Sequence, residues 1–246
     1  MSYLPSVLLR LLAFLLIAPA ASAAEFSVSP IRAEFKGGVL TETITVSNEG
    51  TAPLRVSMKL MEWTQAPAGQ DVYTDSSDLV YFPREMDVPP GAKRVVRVGA
   101  KAPAATVERT YRLFIEEVLT GSRPPGASQV AFYFRFGVPI FLTPAVPRRE
   151  IEIGEPTLAG GKLSIGVRNA GNQHFRLSKL TVSDGASFSQ DIAGWYSLAG
   201  TQRTYTADIP PDVCRRAKLL RVTLEGEGSP PIAMERQLHV DPASCP

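Results

Sequence analysis

Apolar and polar positions alternate along most of this chain, and the clearest case runs from Val130 to Pro144, VAFYFRFGVPIFLTP. Val130, Phe132, Phe134 and Phe136 fall on one face; Ala131, Tyr133 and Arg135 fall on the other. A period of two is that of a β-strand, not of a helix. The same pattern recurs at 42–46, 94–98, 162–167 and 219–224, and turn signals such as Asn48-Glu49-Gly50 and Pro89-Pro90-Gly91 separate the runs. No window longer than about two turns carries a helical apolar stripe. The pattern predicts an all-β chain of short strands.

Large aromatics on one side of a strand ordinarily belong to a core. The 130–144 strand, however, follows a Gly/Pro-rich stretch (121–126) and runs straight into a proline-flanked linker. That is the position of an edge, and an exposed apolar edge offers unpaired backbone groups to any chain able to add a strand. Val130, Phe132, Phe134 and Phe136 are therefore candidates for lending a strand to a partner.

An internal repeat organises the rest. Residues 46–57 read VSNEGTAPLRVS and residues 167–178 read VRNAGNQHFRLS, displaced by 121 residues. A second echo follows in the same order, PGAKR at 90–94 and AGTQR at 199–203. The spacing is too long for a solenoid and fits duplicated domains. Short strands in units of about 100 residues predict two immunoglobulin-like β-sandwiches. The join falls at 143–149, TPAVPRR, where two prolines stiffen a short connection. The expected division is 1–23, 24–144 and 145–246.

The first segment is a leader. Arg10 precedes an apolar run from Leu11 to Ala18, and small residues end it at Ala21-Ser22-Ala23, the pattern of a secretory signal peptide. A membrane-spanning helix needs about 20 apolar residues, which neither this run nor any later one supplies. The mature chain is expected to begin near Ala24 and to work outside the cytoplasm, without membrane insertion. With 26 basic and 24 acidic residues the net charge is +2, which gives no basis for a nucleic-acid or anionic-membrane partner. In an oxidising compartment Cys214 and Cys245 are expected to form a disulfide and not a metal site or a nucleophile.

Catalytic chemistry finds little support. The chain has two histidines, His174 and His239, and none of the common hydrolase, nucleotide-binding or zinc motifs. His174 stands where the first repeat has Pro53 and reads as a turn or strand-edge residue. Glu116 and Glu117, adjacent on a strand, point to opposite faces. Asp75 and Asp78 read as solvated loop carboxylates, and Trp63 and Trp195 as core or interdomain aromatics. No enzyme, metal or cofactor is expected.

Five segments in order carry a family resemblance: SVSPIRAEF (27–35), TITVSNEG (43–50), VPPGAKRVVRV (88–98), ERTYRLFIEE (108–117) and VAFYFRFGVPIFLTP. Behind a signal peptide, this set resembles the PapD-like periplasmic chaperones of the chaperone–usher pathway, which assemble pili and fimbriae. The resemblance implies a boomerang of two immunoglobulin-like domains with a binding cleft between them. It implies that Val130, Phe132, Phe134 and Phe136 complete the sheet of a pilin subunit, for delivery to an outer-membrane usher. Arg32 matches the cleft arginine that receives the subunit's C-terminal carboxylate, a task suited to a planar guanidinium. Gly137 stands where the family carries its cleft lysine. Arg135, two residues earlier and on the face opposite the phenylalanines, is the second candidate anchor. This departure resembles the archaic branch of the family. The free chain would have to shield its apolar edge, by self-association among other ways. The rival reading is a secreted two-domain binding or adhesion module that uses its sandwich-end loops.

Overall fold

The computed structural model of the chain describes residues 26–102, 106–118, 133–228 and 231–246. The expected leader and the donor-strand candidates Val130 and Phe132 lie outside these residues.

Ten strands precede residue 143 among the described residues: β1 (Phe26–Ser29), β2 (Ala33–Phe35), β3 (Thr41–Asn48), β4 (Leu54–Gln65), β5 (Asp71–Asp75), β6 (Leu79–Phe82), β7 (Glu85–Val88), β8 (Lys93–Ala100), β9 (Arg109–Glu117) and β10 (Arg135–Leu142). One sheet has the order β1-β3-β8-β6; the other runs β2-β10-β9-β4-β5, with β7 also paired to β4. Alternation decides what they bury. Ile44 and Val46 of β3, Val96 and Val98 of β8, Leu113 and Ile115 of β9, and Val138, Ile140 and Leu142 of β10 meet in one core.

The second half contributes β11 (Ile151–Ile153), β12 (Thr157–Ala159), β13 (Lys162–Asn169), β14 (Phe175–Ser183), β15 (Ser189–Ala193), β16 (Tyr196–Ser197), β17 (Gln202–Asp208), β18 (Leu219–Gly226) and β19 (Ile232–His239), with one short helix, α1 (Pro211–Arg216). The strand β13 pairs β11, β12 and β17, and the facing sheet runs β15-β14-β18-β19 with β16 also on β14. Their inward rows form a second, separate core. Cys214 and Cys245 are disulfide-bonded, with Cα atoms 5.7 Å apart, so the C-terminal segment is tied to α1. The fold is all-β, two immunoglobulin-like sandwiches.

The repeat has a structural cause. The Asn48 side-chain amide donates to the carbonyls of Ala52 and Val88, both at 2.8 Å, and its Oδ1 accepts from Gly50 N–H. Asn169 does the same with Gln173, Ser197 and Gly171. Their backbone N–H groups donate to Ala92 and Thr201, inside the second echo. There Gly91 and Gly200 hold φ of 67° and 73°, a left-handed turn that favours glycine. One buried amide in each sandwich thus ties both repeated segments together. Both asparagines are almost inaccessible, at 2% and 0% exposure, so each bond replaces a solvation that burial removed.

The strand predicted from Val130 is shorter where it is described. Ladder pairing begins at Arg135, and Tyr133 and Phe134 stand outside it. A third, small cluster lies between the sandwiches, where Trp63, Phe141 and Leu198 are buried against Tyr73 and Tyr196.

Candidate functional site

The strand β10 has neighbours of unequal length. It pairs antiparallel with β9 along Arg135–Leu142, but parallel with β2 only along Ile140–Leu142. Among the described residues the stretch from Arg135 to Pro139 is therefore open on one side. Glu117 N–H donates to Phe134 C=O at 3.0 Å, and bonding direction alternates along an antiparallel strand. The even-numbered residues thus bond to β9, while Arg135 and Gly137 turn their N–H and C=O groups to the open side. Pro139 falls on that side too, where its missing N–H removes nothing from the β9 ladder.

The side chains divide in the same way. Phe136 packs on the first core, its ring centroid 4.9 Å from that of buried Phe26, and Phe134 packs edge-on at 6.2 Å. Phe134 still exposes 36% of its surface. The aromatic row is thus continuous with the core but unfinished at its outer end. Arg135, Gly137, Pro139 and Phe141 form the opposite row, and Phe141 enters the cluster between the sandwiches.

Two cavities of about 410 and 400 Å³ flank a bridge between the sandwiches. Arg32, just before β2, donates to Glu34 at 2.9 Å and to Glu227 at 3.1 Å. Glu227 also pairs with Arg176 of β14. One carboxylate thereby joins an arginine from each sandwich, and all three residues line both cavities. Burial opposes ionisation of Glu227, but hydrogen bonds and charge from Arg176 and Arg32 outweigh it and hold its carboxyl below the usual range. At Glu34 burial is likewise overcome, here by Lys36 first and then Arg32.

Arg135 is engaged elsewhere. Its Nε donates to Glu116, directly across the ladder, at 2.6 Å, and its guanidinium lies 3.9 Å over the Phe114 ring. Gly137 and Pro139, on the same row, line the cavity that also holds Arg32. Arg112 of β9 comes up beside Gly137, and an added Cβ there would meet Arg112 Cδ at 3.0 Å and Phe114 Cε1 at 3.3 Å.

Three features escaped the sequence reading. His174, read as a turn or edge residue, does precede β14 but is half-buried and paired: its Nδ1 lies 2.8 Å from Glu108 Oε2, which also accepts its backbone N–H. Its ring stacks on Phe141 at 3.5 Å and 13°. Asp78 is no merely solvated carboxylate; Tyr111 Oη donates to it at 2.8 Å and Arg109 at 3.1 Å. Burial, with the Asp78 hydrogen bond next, pushes the Tyr111 phenol well above its ordinary value. Arg112 drew no attention, although a glycine inside a strand marks a close approach by a neighbour. Trp195 donates its indole N–H to Asp71 at 2.9 Å, a contact across the two sandwiches. Among the described residues no group of His, Cys, Asp and Glu is placed to hold a metal ion.

Residues 25–147 match the family described as the pili and flagellar-assembly chaperone, PapD N-terminal domain. Among curated protein sequences no significant match is found. Among solved structures, the chain is similar to the CsuC–CsuE chaperone–tip adhesion subunit pre-assembly complex from the archaic chaperone–usher Csu pili of Acinetobacter baumannii. That match has 19% identity and a TM-score of 0.64 and covers 87% of this chain and 98% of the other. It is also similar to the Pseudomonas aeruginosa CupB2 chaperone (16%, TM-score 0.55, 87% and 100% covered). A third similar structure is the Salmonella enterica SafA pilin in complex with the SafB chaperone (13%, TM-score 0.57, 89% and 98% covered). At these identities the structural likeness shows the fold, and the family match over half of the sequence shows the membership: the chain belongs to the non-enzymatic pili and flagellar-assembly chaperones.

Proposed function

We propose that this chain is a periplasmic chaperone that completes the sheet of a pilin subunit with its own β10 edge and passes the subunit to an outer-membrane usher. The observation that carries the reading is the open stretch Arg135–Pro139, backed by an aromatic row that continues the first core. Strand addition to such an edge draws on backbone hydrogen bonds for affinity and on alternating side chains for fit. Val130, Phe132, Phe134 and Phe136 fill the subunit's groove. Phe136 already packs on the chain's own core; at roughly 1.5–3 kcal/mol per newly buried side chain, the other three supply a gross ~4.5–9 kcal/mol before ordering costs. Such a complex is stable, non-covalent and exchangeable. Arg32 receives the subunit's C-terminal carboxylate, and Arg135 flanks the strand as a further cation. In this reading residues 1–23 are the leader, 24–144 the strand-donating domain and 145–246 the second domain.

The experiment is periplasmic co-purification of the tagged chain with proteins of its own host, followed by mass spectrometry. A stoichiometric small β-rich partner is expected from the wild type and is lost in Phe132→Arg/Phe134→Arg, which stays folded because Phe134 is already partly exposed. Undiminished partner recovery from the double variant refutes strand donation and turns attention to the loops.

A further inference from the structure

The second echo of the repeat carries a side chain that the first lacks. Thr201 of AGTQR stands where PGAKR has Ala92, and its hydroxyl meets Gln65 of the other sandwich. Gln65 is the last residue of β4. Its Nε2 donates to Asp71 Oδ1 at 3.0 Å and to Tyr196 C=O at 2.9 Å, and its Oε1 accepts from Leu198 N–H at 3.1 Å. The Thr201 hydroxyl, which can also turn to Leu198 C=O at 2.8 Å, stands 3.0 Å from the same oxygen. These partners leave one orientation for the amide: oxygens face both of its donors, and a backbone N–H faces its acceptor. The second sandwich thus holds both ends of one neutral side chain.

Asp71 completes the joint. It opens β5 directly across the ladder from Gln65, and its Oδ2 accepts from the Trp195 indole N–H at 2.9 Å. Near the tip of the β4–β5 hairpin the Gly69 carbonyl accepts from Arg203, also of the second echo. The hairpin of the first sandwich therefore plugs into two segments of the second, 195–198 and 201–203. The cluster of Trp63, Phe141 and Leu198 brings the sandwiches together, but apolar contact has no preferred direction. Hydrogen bonds do fix an angle, because they weaken steeply as they bend. That angle matters for the open edge. Trp195 and Tyr196 form the second sandwich's side of the cavity that Gly137 and Pro139 of β10 line from the first.

We propose that Gln65 is a positioning residue of the cleft: through Asp71 and the 196–201 segment it sets the Trp195–Tyr196 wall against the open edge of β10, and so fixes the space left for a partner strand. For that strand the proposal rests on the strand-donor reading; the joint itself does not. Gln65→Glu keeps the shape of the side chain and an acceptor for Leu198 and Thr201. It removes both donors, and it sets a second carboxylate against Asp71, where like charges repel.

The test uses the mature chain with a lanthanide tag on the first sandwich and reads residual dipolar couplings of backbone amides in both. A single alignment is expected to fit both sandwiches of the wild type. In Gln65→Glu the couplings of the second sandwich are expected to shrink below those of the first, while the amide shifts of β3 and β13 stay in place because both cores remain folded. Gln65→Glu/Asp71→Asn returns a donor to the pair and restores the common alignment in part, which a side chain that only fills space would not do. Unchanged couplings in Gln65→Glu, or a double variant no better than the single one, overturn the proposal. Subunit co-purification separates the two readings. A Gln65→Glu chain that loosens yet captures its subunit as fully as the wild type overturns the role of Gln65 in the cleft. A wild type that captures none, but whose common alignment is lost in Gln65→Glu, keeps the joint and loses the strand donor.

Discussion

Replacing Phe141 by alanine removes a ring that no solvent reaches and that belongs to neither large core. The ring stacks on His174 from the second sandwich and lies 6.1 Å from Trp63 of the first and 5.6 Å from Tyr196 of the second. Truncations of buried phenylalanine cost about 3–5 kcal/mol, part transfer and part cavity. Here that loss falls on the docking of two sandwiches whose own cores are untouched. Both tryptophans sit at the junction, so fluorescence reports docking while far-UV circular dichroism reports the strands. In urea, with a slope of about 1–3 kcal/mol/M, the fluorescence midpoint of Phe141→Ala is expected to fall by at least ~1 M and to precede the circular dichroism transition. If both probes fall together and stay coincident, Phe141 stabilises the first sandwich alone, and the small cluster does not set the geometry of the cleft.

Two further outcomes follow from features at opposite ends of the second sandwich. Cys214→Ser/Cys245→Ser opens a loop with a sequence separation of 31; loop-closure entropy assigns such a crosslink about 3–4 kcal/mol, read as a lower urea midpoint that reduction of the wild type reproduces. Glu227 has a folded-state pKa below its unfolded value, so its stabilisation is complete above the ordinary carboxylate value of about 4.3 and is lost as pH falls through the depressed one. The urea midpoint should drop in that acid window, and Glu227→Gln should remove part of the drop; an identical acid slope in the variant refutes the bridge.

Period-two alternation made β3, β8, β13 and β18 legible, because each has one face on a core and one toward solvent. The repeat made the two-sandwich division legible, yet the reason for it, a buried Asn48 or Asn169 amide joining distant segments, needs the folded chain. Strand ends were less clear: Tyr133 and Phe134 continue the alternation but stand outside the ladder, which begins at Arg135. The site was legible where chemistry lies along one segment, as with the aromatic row and Arg32. It was not where partners meet across the fold. Glu108 and His174 are 66 residues apart, and Asp78 and Tyr111 are 33 apart. Arg112 looked like any strand arginine because the rings over it, Trp63, Tyr73 and Trp195, come from segments distant in sequence.

Pro139 gives the open edge of β10 a gauge for length. An added strand finds donors at Arg135 and Gly137 and none at Pro139, after which β2 already holds the backbone. Pairing must stop there, above the cavity lined by Gly137 and Pro139 as well as Arg32 and Arg112. A strand that overruns meets a carbonyl with no accompanying N–H, and one that falls short leaves its end away from the arginines. In the proposed strand-donor reading a partner strand must match that reach, and the edge is then guarded against indiscriminate sheet growth by where its ladder ends.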